Sequence, residues 1–160
     1  LSLHDALPIY FAKWYDRCRT SLPEGVEYQV DKELLQGRCY SPHTCTLLPK
    51  SLNVALQMTR PASNPALSTG VKLDKATQKY SAQVTRANKQ LTEKSKRILG
   101  TSRDTLGEAR RDYIEIKSEE LRHTAAHLYH MGQISKETFD LVSTFDVESH
   151  LESYKENINE

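Results

Sequence analysis

Residues 70–113, from Gly70 to Tyr113, read GVKLDKATQKYSAQVTRANKQLTEKSKRILGTSRDTLGEARRDY. In Tyr80-Ser81-Ala82-Gln83-Val84-Thr85 the apolar side chains recur at every second position, the period of a strand with one buried and one open face. Val71 and Leu73 repeat the alternation around Lys72, and Ile98 with Leu99 forms a third short apolar segment closed by Gly100. Thr105-Leu106-Gly107-Glu108 is a capping box, in which each of the two polar side chains takes a free backbone N–H of the other's residue. A helix is predicted to start there. Leu106, Ala109, Tyr113, Ile116 and Leu128 carry it at three- and four-residue steps to about His130, with Gly132 as the stop. Leu106, Ala109 and Tyr113 are expected to pack against Tyr80, Ala82 and Val84.

The formal charge of +1 conceals a dipolar chain. Residues 70–111 hold eleven bases and four acids, net +7, and residues 112–160 hold four bases and eleven acids, net −7. A sheet face carrying Lys, Arg, Gln and Ser suits a phosphate backbone and base edges. The same composition also describes an ordinary solvated face.

The order Gly70-Val71, Lys79 to Val84, Leu99-Gly100-Thr101, Thr105 to Ala109 and Tyr113 resembles the Apetala-type DNA-binding domain of plant ethylene-response factors. The resemblance covers roughly a third of the chain and implies an α+β fold in which a three-stranded antiparallel sheet, packed on one long helix, enters the DNA major groove. A short helix is expected to follow. On this reading Lys72, Lys79, Arg86, Lys96 and Arg97 meet phosphates or bases, with Ser81 and Gln83 on the same open face. The chain departs from the family between the second and third strands, where residues 86–96 are longer than the usual turn and lack its glycine.

Upstream, Val30-Asp31-Lys32-Glu33, Tyr40-Ser41-Pro42-His43-Thr44-Cys45 and Pro49-Lys50-Ser51-Leu52-Asn53 resemble the end of the HNH module of phage homing endonucleases, which often precedes an Apetala-type domain. The resemblance implies sequence-specific binding of double-stranded DNA and, from an active HNH module, metal-dependent phosphodiester hydrolysis. Asp31 would then be a ligand of a divalent ion such as Mg2+, which neutralises charge on the pentavalent phosphate, and Asn53 would orient the reacting strand. Lys32 stands where many such nucleases have a histidine, and a lysine needs a strongly depressed pKa to act as that base. The module is therefore degenerate or truncated here. In the competing structural reading Asp31 caps a turn and Asn53 sits in a helix without catalytic duty. Two functional alternatives stand beside the nuclease: a DNA-binding protein that does not cut, and a protein-binding domain with a basic face.

Residues 1–9 (LSLHDALPI) fit nothing downstream and read as translated adapter sequence, so the natural protein is expected to continue upstream of Tyr10. Residues 10–58 form the partial HNH-like unit, opened by a short helix over residues 11–18. Residues 59–69, rich in Pro, Ser, Thr and Ala, read as a linker. Residues 70–132 are the DNA-binding unit, and 133–160 a helix begun at Ser135 and a loosely held acidic tail. No apolar run approaches the roughly 20 residues of a membrane span. Three cysteines without a C-x-x-C pair suit a reducing cytoplasm, that of a bacterial host if the gene is phage-borne. Cys39-His43-Cys45 has no standard zinc spacing, and His123, His127 and His130 are interleaved with Ala and Leu as on a half-exposed helix face.

Overall fold

Proline 49 joins strand to helix and shows how the first half is built. Its fixed φ of −52° ends an extended segment while its missing N–H costs a helix nothing at that end. Before it lies an antiparallel ribbon of β1 (Tyr28–Asp31) and β2 (Thr46–Pro49), with Tyr28 opposite Pro49 and Asp31 opposite Thr46. After it runs α2 (Lys50–Leu56). The computed structural model describes residues 3–35, 37, 39–57, 66–85 and 97–156. The first helix, α1, spans Leu3–Thr20 and is longer than its apolar stripe predicted.

The second sheet follows the alternation of its sequence. Strands β3 (Val71–Asp74), β4 (Lys79–Thr85) and β5 (Arg97–Leu99) are antiparallel with β4 in the middle. Val71 pairs with Ala82, Lys72 with Ser81, Gln83 with Leu99 and Val84 with Ile98. Val71, Ala82 and Val84 are buried against the long helix α3 (Leu106–His130). Both halves of the capping box at Thr105 and Glu108 are present, worth about 1 kcal/mol. Gly132, with φ of 68°, follows the helix end as predicted.

Two glycines let the sheet approach α3. Gly70 has φ of +72°, and a Cβ there would lie 2.0 Å from the Tyr113 ring. At Gly100 a Cβ would come within 3.0 Å of that of Ala82 and 3.4 Å of Ile116. The sheet thus lies on the helix at backbone distance, which places its opposite face outward.

Two further helices close the fold: α4 (Lys136–Ser143), capped by Ser135, and α5 (Val147–Glu156). The second corrects the expectation of a single short C-terminal helix and a loose tail. Val147 and Leu151, one helical turn apart, are buried. Asp146 accepts the Ser149 N–H at 3.0 Å, and Arg110 of α3 reaches Glu152 at 3.3 Å and Glu148 at 3.9 Å. The acidic side chains thus surround an apolar pair and face a base, conditions under which a charged segment docks rather than frays.

One buried cluster runs through the molecule, from Leu34, Leu48, Leu52 and Leu56 through Ala82, Val84 and Tyr113 to Leu121, Leu128, Val142 and Leu151. The Tyr28 hydroxyl adds a link from β1 by donating to the Gln133 carbonyl at 2.7 Å. The expected linker lies mostly outside the described residues, yet side chains before and after it share this cluster.

Candidate nucleic-acid interface

Because Ala82 and Val84 point into the core, strand geometry turns Lys79, Ser81, Gln83 and Thr85 to the other side of β4. Lys72 stands beside Ser81, and Leu99 beside Gln83. Among the described residues the face is therefore a strip of mainly polar and cationic groups with one large apolar side chain, Leu99, among them. Lys72 and Lys79 are exposed, while Ser81 and Gln83 are partly covered by their neighbours. Arg97 is in β5, its backbone opposite Thr85, and its side chain lies outside the described residues. Arg86 and Lys96 also lie outside the described residues.

Several bases of the basic stretch are already engaged within the fold. Arg103 grips Asp112 through two hydrogen bonds of 2.7 and 3.0 Å, which hold its guanidinium above its ordinary pKa. Arg110 is turned to α5, and Lys79 pairs with the exposed Asp104 at 3.1 Å. Surface pairs of the last kind are weak and open readily to a competing anion. At the far end of the face, Asp74 spends its carboxylate on the turn to β4, accepting the Ala76 N–H at 2.8 Å, and is held below the usual carboxylate range by that bond.

The HNH-like residues have a different setting. Asp31 is 4% exposed, and its Oδ1 accepts the Leu34 N–H at 2.9 Å, closing the turn after β1. Burial raises its pKa, the Leu34 hydrogen bond opposes the rise, and the charge of Glu33 adds to it. Lys32 contacts Glu33 at 3.0 Å and lies over the Tyr40 ring. Asn53 is 6% exposed and donates to the Gln29 side chain at 2.8 Å, tying α2 to β1. Asp31, Lys32 and Asn53 as placed here do not by themselves make a magnesium site, which needs several converging oxygens. No three His, Cys, Asp or Glu side chains converge on a point among the described residues. Cys18, Cys39 and Cys45 are free thiols, and Cys45 is buried. His123 and His130 are exposed on α3.

The structure also sets in place groups that pattern reading passed over. His150 of α5 lies within electrostatic reach of Asp31, Lys32 and Glu33. Burial lowers its pKa, the charges of Glu33 and Asp31 work against that shift, and Lys32 reinforces it. Lys117 of α3 is buried, and its pKa is held down to about 8. Leu99, 63% exposed, belongs to the open face. For Leu99 a signal existed in the sequence: in a strand, adjacent Ile98 and Leu99 point to opposite sides, so one of them had to face out. Among the described residues no helix is long and apolar enough to cross a membrane. Comparison with protein-family models, curated proteins and solved structures gave no match.

Proposed function

We propose that the chain binds double-stranded DNA sequence-specifically through the open face of β3–β5, laying the sheet in the major groove. The observation that carries this reading is the division of β4: Ala82 and Val84 are buried while Lys79, Ser81 and Gln83 lie on the opposite face beside exposed Lys72. Lysines neutralise phosphates, which supplies affinity and register, and amide and hydroxyl groups reach base edges, which supplies choice. Strands about 4.8 Å apart make a three-stranded face roughly 10 Å across, comparable with a major groove about 12 Å wide.

The test is titration of fluorescent duplex by the full chain at a series of salt concentrations. Neutralising four to six phosphates gives a log–log slope of affinity on salt of about −4 to −5. Failure to bind even at about 50 mM salt, where such contacts are strongest, contradicts the proposal. The resemblance of residues 30–53 to an HNH module supports placing this binding within a homing endonuclease. Mg2+-dependent nicking of bound duplex, abolished by Asp31→Ala, is the outcome that favours a cutting role. Because Asp31 and Asn53 are buried and bonded within the fold, their positions favour binding without cleavage by these residues.

A further inference from the structure

We infer that Gln83 and Leu99 act together as a reader of an A·T base pair, making them the specificity-determining pair of the sheet. The inference rests on the DNA-binding reading above and goes beyond it by naming what is read. The two residues are directly opposed in the β4–β5 register, with Cβ atoms about 5 Å apart. Leu99 is 63% exposed, although its neighbour Ile98 packs on the core. Among the described residues no hydrogen bond engages the Gln83 side chain, so its amide is available to a ligand.

An exposed leucine alone needs no explanation. This one, however, stands beside a free carboxamide on a face whose other described side chains are lysine, serine and threonine, with Asp74 at its far end. The major-groove edge of an A·T pair carries a matching set of groups. Adenine offers the N7 acceptor and N6 donor that a glutamine amide meets with two hydrogen bonds, and thymine offers a 5-methyl group to an apolar side chain. A G·C pair has no methyl and presents N7 and O6 acceptors, for which arginine or lysine is the better partner. Lys72, beside Ser81 one pairing step along the sheet, is placed to hold the adjoining phosphate rather than the base.

The experiment selects duplexes from a randomised pool with the full chain, then compares the selected duplex with the same duplex carrying uracil for thymine. Enrichment of A·T at a fixed position is expected, with binding about fourfold weaker on removing the critical methyl, the equivalent of one buried carbon. Leu99→Ala should weaken the thymine duplex by a similar factor and bind both duplexes alike. Gln83→Ala should reduce preference for A·T over G·C about tenfold or more. Circular dichroism of both variants should match that of the parent, since Leu99 and Gln83 contribute no buried core. A G·C-rich or featureless selection with a steep salt slope overturns the pair and leaves DNA binding standing, as does equal uracil sensitivity in the parent and Leu99→Ala. Absence of duplex binding at any salt overturns both.

Discussion

The two small sheets of this chain turn their polar side chains in opposite directions. In the β1–β2 ribbon and the helix α2 packed on it, Asp31 and Asn53 point inward, where Asp31 holds the turn after β1 and Asn53 holds β1 through Gln29. In the β3–β5 sheet, Lys72, Lys79, Ser81 and Gln83 point away from the helix that carries the sheet. The residue types overlap with those expected of a nuclease and of a DNA reader, but burial separates them. An inward polar group is spent on the fold, and an outward one stays accessible to solvent and ligand.

Four variants can break or sharpen that contrast. The largest effect is expected at the seat of the second sheet. Gly70→Ala forces a side chain into the left-handed region and onto the Tyr113 ring, and should cost about 3 kcal/mol or more, read by chemical denaturation. A loss below about 0.5 kcal/mol means the sheet does not depend on that close approach. Next, the double reversal Lys72→Glu with Lys79→Glu should weaken duplex binding about 100-fold at low salt and leave the melting temperature within a few degrees. If binding survives, the outward face is not the interface.

The third prediction concerns an inward cation on α3. Burial holds Lys117 at about 8 against an ordinary 10.5, so between these values the unfolded chain binds a proton that the folded chain does not. Stability contributed by this group therefore rises with pH across that window and is fully penalised below it. Lys117→Met should stabilise the protein by about 2 kcal/mol at neutral pH, with the gain shrinking to nothing above the upper end of the window. A gain independent of pH would assign it to packing instead. The smallest effect belongs to the link between α2 and the ribbon: Asn53→Ala removes the donor to Gln29 and should cost about 1–2 kcal/mol of stability while duplex affinity stays unchanged. Loss of affinity at unchanged stability would move Asn53 from scaffold to interface.

What could be read from sequence was local. The alternation Tyr80 to Thr85, the capping box at Thr105 and the stop at Gly132 each act within one turn or one strand, and the structure carries all three. Signals that need a partner were less legible. The acidic segment after Asp146 looks soluble by composition, and only Arg110 and the α3 surface turn Val147 and Leu151 into a docked face. Asp31 fits a metal ligand or a turn cap equally well as a letter, and the Leu34 N–H supplies the difference. Ile98 and Leu99 read alike as apolar letters, and the register decides that Ile98 turns inward and Leu99 out. The burial of Lys117 breaks the rule that lysines stay outside, so no pattern announces it.

At 18.3 kDa the chain suits amide chemical-shift mapping on titration with duplex DNA. Shifts concentrated at Lys72, Ser81, Gln83 and Leu99, with those of Asp31 and Asn53 unmoved, are the expected result. A shift pattern centred on the β1–β2 ribbon, or none at all at low salt, would contradict an outward-facing reading sheet.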